Sequence, residues 1–364
     1  MSYTVGDLVD AVNIQENLDM VFANVQDPIQ VQKVPFTQWL NNPMNRGRLY
    51  QSVAIGNGQT RTVEVQYDQE WDAALVTSNV TNPTCTGATY VPTNNSQEYT
   101  IDTSVNRGVS WKITRGVVET AKVTPSEYFN RSLAKAVAAV EWAVELKEAA
   151  AAVAAVGGWS TDVTDWATAS ADVAISGAYL QVQTRQTSSS VNPYPYTAQN
   201  IATAAELNGY VLPPMIFSGT SLRDWATIGD AASYGLMDNG INLQALFDRF
   251  GFAVQYSRAI KTAYSDNDKA LMIHPGALQL LAFTQSDWRS GMPLVDMGSN
   301  YASGVIFGPR TGIPMDFTVS DNCGTINCQL VATTSVVALP TDMFNPNNQY
   351  TGVTFTNSLE VANT

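Results

Sequence analysis

The chain has 364 residues, enough for two ordinary domains or one large one, and 45% of them are hydrophobic, which excludes a disordered polypeptide. Only 14% are charged, against about a quarter in typical soluble domains, so much of the surface is expected either to meet protein or to carry an uncharged polar coat. The formal charge of −13, from 32 acidic and 19 basic residues, excludes strong electrostatic capture of nucleic acid by the chain as a whole.

Residues 1–45 read as an arm. Thr4 can cap a short helix carrying Val5, Leu8, Val9 and Val12, and a second apolar cluster follows at Leu18, Val21 and Phe22. Pro28, Pro35 and Pro43 are expected to keep the chain extended. No basic region followed by an apolar core opens the sequence and no apolar run reaches bilayer length, so a soluble intracellular chain is expected.

From Arg46 to Arg115 the pattern is strand-like. Tyr50–Ile55 and Thr62–Tyr67 flank the turn Gly56-Asn57-Gly58 as a hairpin, and strands return at Glu98–Thr103 and Val109–Thr114. This excursion of about seventy residues has few large apolar side chains and buries too little to be an independent domain. It is expected to lie on something else. Arg46, Arg48, Arg61, Arg107, Lys112 and Arg115 give it a basic bias, read either as paired surface charges or as contacts to acidic patches on neighbouring molecules.

A single long helix is predicted from Pro125 to Val156. Thr124 can cap it, Pro125 fills its first turn, Glu127 can reach back to the cap amide, and Gly157-Gly158 ends it. Phe129, Leu133, Val137, Val140 and Val144 recur at steps of four or three and form one packing stripe. Heptad spacing is not sustained, and Arg131, Lys135, Glu141, Glu145, Lys147 and Glu148 exclude a bilayer core, leaving a helix laid across an extended protein.

Beyond it, Asp162–Thr184 reads as strand-rich, and Thr197 caps a helix, Ala198–Leu207, stopped by Asn208-Gly209. A β run, Tyr210–Phe217, precedes a helix from Ser221 to about Ala232, a short helix Leu243–Phe250 and a strand Phe252–Tyr256. Ala270–Ile273 is a buried-strand candidate, and Pro275 is expected to open a helix through about Thr284. Strands are expected near Val305–Phe307, Met315–Val319 and Cys328–Leu339, giving mixed α/β layers.

Residues that could carry chemistry are few. His274, the only histidine, stands at a turn before Pro275 without a recognised nucleophile motif beside it, so a capping or buried-turn role is expected. No Gly-Lys pair exists for a phosphate-cradling loop, and Asp266-Asn267-Asp268 lacks the spacing of a calcium loop. Trp71, Trp111, Trp142, Trp225 and Trp288 are dispersed without interleaved basic clusters and read as core or interface packing. Cys85, Cys323 and Cys328 do not form a disulfide framework; Cys323 and Cys328 could close a small loop, with free thiols the simpler expectation. No catalytic, cofactor-binding or metal-binding residues are assigned, and no enzyme is expected.

The order of these parts resembles the major capsid proteins of tailed double-stranded DNA bacteriophages, the HK97-like fold. Thr197–Gly209 followed by Val211–Phe217 is similar to that family's helix-then-strand step, and Leu246–Ser257 and His274-Pro-Gly-Ala-Leu278 look like its later steps. The resemblance implies an α+β (mixed α/β) fold: an N-terminal arm, 1–45; an extended β-hairpin E-loop, 46–115; a peripheral domain, 116–185, with spine helix 125–156; an axial domain, 186–327; and returning strands of the peripheral domain, 328–364. It implies a structural protein of the virion, assembled in the host cytoplasm from hexamers and pentamers of itself into an icosahedral capsid. Its partners would be scaffolding, portal and cement proteins and packaged double-stranded DNA held without sequence recognition, with no membrane and no cofactors. A negative inner wall fits packed phosphates that must slide. Some members crosslink an E-loop lysine to a neighbour, but here no lysine lies between Lys33 and Lys112, so no such bond is expected. The alternatives are an encapsulin-like nanocompartment shell, a soluble hydrolase using dispersed carboxylates, and a surface adhesin.

Overall fold

The computed structural model describes residues 33–42, 50–54, 60–68, 94–102, 106–114, 124–170, 173–177, 179–185, 194–210, 214–218, 253–265, 269–284, 296–298, 301–322, 325–338 and 353–360, with single positions 18, 22, 116 and 251. In chain order these form helix α1 (Pro35–Leu40) and strands β1 (Tyr50–Ala54), β2 (Thr60–Asp68), β3 (Asn94–Asp102) and β4 (Arg107–Thr114). Helices α2 (Pro125–Ala154) and α3 (Thr161–Ala169), strands β5 (Val173–Ser176) and β6 (Tyr179–Arg185) and helix α4 (Tyr194–Leu207) follow. Then come β7 (Met215–Ser218), β8 (Ala253–Tyr256), helix α5 (Arg258–Tyr264), β9 (Lys269–Ile273) and β10 (Leu278–Phe283). The last strands are β11 (Asp296–Gly298), β12 (Tyr301–Phe307), β13 (Pro314–Asn322), β14 (Thr325–Ala338) and β15 (Val353–Glu360). Two compact units result, each drawn from three separated stretches. One takes Met1–Asn41, Asp102–Glu148 and Leu280–Ser335, and the other takes Asn42–Ile101, Ala149–Gln279 and Val336–Thr364.

The first unit contains a sheet in the order β10-β14-β13-β12-β11, with β4 also paired to β14. Successive strand residues face opposite sides, and Met315, Phe317, Val319, Ile326, Cys328 and Leu330 are buried, whereas Asp316, Thr318, Asn327 and Gln329 between them are not. Antiparallel register places Cys328 opposite Val319 on one side and Trp111 on the other. The last strand of the 46–115 stretch is therefore built into a sheet of its own chain, with Arg107–Thr114 opposite Thr325–Ala332.

Most of α2 belongs to this unit. Its first turn is capped as the sequence predicts, with the amide of Glu127 donating to the Thr124 hydroxyl at 3.3 Å. Phe129, Leu133, Val137, Val140 and Val144 are all buried, so the predicted stripe is the packed face. Thirty residues make the helix ~45 Å long. Among the described residues no helix is long and apolar enough to cross a membrane.

The second unit holds the three-stranded sheet β1-β2-β3 and a six-stranded sheet in the order β5-β6-β15-β9-β7-β8. β1 and β2 pair antiparallel from Tyr50↔Gln66 to Ala54↔Thr62, the hairpin read from the sequence; its Gly56-Asn57-Gly58 turn lies outside the described residues. β15 lies between β6, to which it is parallel, and β9, to which it is antiparallel. Val163, Leu180, Val182, Ile201, Ile216 and Met272 join one hydrophobic cluster with the α4 alanines. α4 ends in a Schellman turn, with Tyr210 N–H donating to Ala205 O and Gly209 N–H to Glu206 O, both at 2.9 Å, and Gly209 at φ +80°.

Several elements differ from expectation. The strand-rich stretch 162–184 begins with helix α3, because Ser160 accepts the Val163 amide as an N-cap before β5 and β6 start. Pro35 opens α1 instead of extending the arm, and α4 starts at Tyr194, ahead of Thr197. Of the run 210–217, strand β7 takes only the end. Pro275 does not open a helix: the Ala277 amide donates to His274 O at 3.0 Å, Gly276 adopts φ +88°, and strand β10 follows. The Leu278–Phe283 run is almost wholly buried, a pattern that a buried helix segment and a buried strand share. Helix α5 was not anticipated. The helices expected at 221–232 and 243–250 lie outside the described residues, as do Asp266-Asn267-Asp268, Trp71, Trp225, Trp288 and Cys85.

His274 is a buried turn residue, 5.4 Å from the Tyr210 ring, whose hydroxyl is 2.9 Å from that of Thr354. Burial lowers its pKa to about 4 from 6.5. The folded protein thus holds a neutral imidazole that the unfolded chain protonates more readily, so the stability linked to it is complete above pH 6.5 and is lost as pH falls through 4. Replacing His274 with Gln is expected to remove the loss linked to this residue between pH 6.5 and 4, about 3 kcal/mol, so that the difference in melting temperature between the two proteins changes across that window. Parallel melting profiles for the two proteins would contradict it.

Candidate functional site

The most constrained place in the first unit is a row of acids on α2. Glu141, Glu145 and Glu148, spaced four and three apart, fall within about 60° of one another around the helix. They are buried, at 0%, 0% and 1% exposure. Buried carboxylates require donors. Two of the three have them in the backbone of distant segments.

Glu145 serves the arm. α1 begins at Val34-Pro35 without a side-chain cap of its own, leaving its first amides without intrahelical acceptors. The Glu145 carboxylate accepts from the Phe36 amide at 3.1 Å, the Thr37 amide at 2.7 Å and the Thr37 hydroxyl at 2.6 Å. An anion at the positive end of the helix also suits its dipole. The cap that local sequence usually supplies thus comes from 108 and 109 residues away.

Glu141 serves the β12–β13 turn. It accepts from the amides of Arg310 and Thr311 at 3.2 and 3.1 Å, from the Thr311 hydroxyl at 3.0 Å, and from the Arg310 guanidinium at 2.6 Å. Gly308 lies so close that a Cβ there would stand 2.5 Å from Glu141 Oε1 and 2.7 Å from Thr311 Oγ1. The turn is also held from the arm: Gln38 donates to Arg310 O at 2.8 Å and Asn41 to Thr311 O at 2.7 Å. Arm helix, long helix and turn therefore meet through two carboxylates and two amides.

Next along α2, Lys147 donates to the carbonyl of Thr334 on β14. Neither oxygen of Glu148 has a hydrogen-bond partner, nor does the Thr334 hydroxyl, although that hydroxyl is near enough to favour the ionised acid slightly. Desolvation dominates and raises the Glu148 pKa to about 8.

Of the six basic candidates, Arg107 and Lys112 are the ones whose side chains are described. Arg107 and Lys112 are exposed on β4, and their odd spacing turns them to opposite faces of the strand. The Arg107 guanidinium donates to the carbonyl of its neighbour Asn106 at 3.3 Å. Arg61 is on β2; Arg46, Arg48 and Arg115 lie outside the described residues. Trp111 and Trp142 are half-buried. Cys328 is a buried free thiol, pushed up to about 12 by burial, and Cys323 lies outside the described residues. Among the described residues no group of three or more His, Cys, Asp or Glu side chains could hold a metal ion. The glutamates were visible in sequence only as charges that rule out a membrane span. Their spacing, in phase with Val137 and Val144, was the signal that they face inward.

No family model matches the chain, and no curated protein matches it in sequence. Similar solved structures include the Cyanophage A-1(L) capsid asymmetric unit, at TM-score 0.48 and 13% identity over 92% of this chain and 94% of that one. The capsid structure of Staphylococcus phage Andhra is similar at TM-score 0.39 and 9% identity, covering 93% of this chain and 88% of that one. The capsid structure of the Cyanophage P-SCSP1u is similar at TM-score 0.39 and 9% identity, covering 85% and 86%.

Changing Glu145 to Ala strands two helix amides and a hydroxyl, and is expected to lower unfolding free energy by about 3 kcal/mol or more and to speed hydrogen exchange at Phe36 and Thr37. Denaturant melts with exchange mass spectrometry check this. Gly308→Ala forces a methyl against Glu141 and is expected to cost about 1–3 kcal/mol in the same melts, with Arg310 displaced.

Proposed function

We propose that this chain is a major capsid protein of the HK97-like fold, whose copies assemble as hexamers and pentamers into an icosahedral shell around double-stranded DNA. The observation that carries the reading is the layout about α2. An arm helix takes its cap from a long helix more than a hundred residues away, and the β1–β3 sheet stands between the two in the chain. Strands from late in the sequence, β14 and β15, are set inside sheets begun much earlier. Such a chain is organised by a stiff central helix and the segments hung on it. A three-stranded sheet with few large apolar residues is marginal alone, and a second copy supplies the surface that covers it.

In this reading residues 1–45 are the arm, 46–115 the E-loop, 116–185 and 328–364 the peripheral domain and 186–327 the axial domain. The shell is held by noncovalent contacts, since no lysine lies between Lys33 and Lys112 to crosslink the loop. Many modest contacts around closed rings act together, so weak pairwise affinity is sufficient. Scaffolding, portal and cement proteins are the further partners of the virion, and the net charge of −13 leaves the packaged DNA free to slide.

Electron microscopy of the protein expressed alone tests the proposal. Closed particles, sheets or capsomer rings are expected, and globular monomers at high concentration would overturn it. The basic residues Arg46, Arg48, Arg61, Arg107, Lys112 and Arg115 are placed in contacts with acidic patches of neighbouring copies. Reversing Arg107 and Lys112 together to Glu is expected to reduce particle yield roughly tenfold while the subunit keeps its circular dichroism spectrum. Unchanged yield would remove these residues from the interface.

A further inference from the structure

The third acid of the α2 row differs from the other two in its surroundings. Glu141 and Glu145 are each saturated by donors, while Glu148, one turn from Glu145 on the same face and 1% exposed, has no hydrogen bond to either oxygen. An ionised carboxylate shut off from water without donors is strongly disfavoured, so the neutral acid is the form that this packing accepts. The charged groups acting on it among the described residues are both on its own helix. Lys147 favours ionisation and Glu145 opposes it; β14 contributes only the uncharged Thr334. Lys147 already donates to the Thr334 carbonyl. Glu145 is committed to the two amides that start α1.

We propose that Glu148 is a proton-held part of the arm's seat: neutral in the folded subunit, it becomes on losing its proton a second anion beside Glu145, and helix α1 is loosened. Glu148, Glu145 and α1 belong to one folded chain, so this behaviour needs no assembly. Its sign follows from where the proton is bound. The unfolded chain releases it near pH 4.5 and the folded one near 8, so the stability that Glu148 contributes is complete below 4.5, declines as pH rises to about 8 and is gone beyond. Ionised Glu148 also repels the carboxylate that caps α1, so the arm is the segment that responds.

The test uses the full-length protein, with melting temperature and hydrogen exchange at Phe36 and Thr37 followed from pH 5 to pH 10. Above pH 6.5, where the His274 contribution is constant, the wild type is expected to lose melting temperature up to about pH 8 and to exchange faster at α1 across the same range, beyond the intrinsic base catalysis of exchange. Glu148→Gln keeps the shape without the charge and is expected to melt higher than the wild type at pH 9, with α1 protection independent of pH. Parallel profiles for the two proteins would overturn the proposal. Should the variant not fold, the infrared spectrum of the wild type decides. A protonated-carboxyl band present at pH 6 and lost by pH 10, with a matching loss of α1 protection, supports it, and absence of that band at pH 6 refutes it.

Discussion

Two carboxylates on one helix face decide how the first unit is put together. Glu141 and Glu145 are buried where water cannot solvate them, and a buried charge is tolerated only when donors surround it. Those donors are backbone amides of the arm helix and of the β12–β13 turn, with the Arg310 guanidinium added. The requirement runs both ways. The helix cannot bury these side chains without the two segments, and neither segment satisfies its own amides without the helix. Apolar burial along Phe129–Val144 supplies a large driving force but little direction, whereas amide-to-carboxylate geometry fixes which residue of each segment sits where.

How far the sequence revealed this varies with the range of the interaction. The long helix was legible almost to the residue, because Thr124, Pro125, the apolar stripe and Gly157-Gly158 are local signals that no distant contact overrides. The β1–β2 hairpin and strands β12 to β14 were legible from alternation. Where the reading failed, two local meanings competed. Pro35 and Pro275 both looked capable of a role they do not take: one starts a helix whose cap is remote, the other sits in a turn before a strand buried on both faces. Ser160 carried a usable cap signal that the Val- and Thr-rich sequence after it masked.

The junction itself was hidden for a different reason. Glutamate on a helix normally means solvent, and composition gives no warning that three of them turn inward. Only their phase relative to Val137 and Val144 distinguishes them, and phase does not say what lies opposite. The partners of Glu141 and Glu145 are 108 to 170 residues distant in sequence, and four of them are backbone amides, which every residue possesses. Side-chain identity at the partner positions records the contact only in part, in the Thr37 and Thr311 hydroxyls, the Arg310 guanidinium and Gly308, where a bare backbone is needed to approach Glu141.

Placement of β15 has a consequence for biosynthesis. This strand forms the join between β6 and β9, yet it is the last of the described strands to be made. Until residues 353–360 emerge from the ribosome, β5-β6 and β9-β7-β8 are separate fragments with facing, unfilled edges. The growing chain can thus form helices and hairpins early, while the six-stranded sheet closes only after residues 353–360 have been made. That delay keeps the second unit from maturing while most of its neighbours in sequence are still being synthesised.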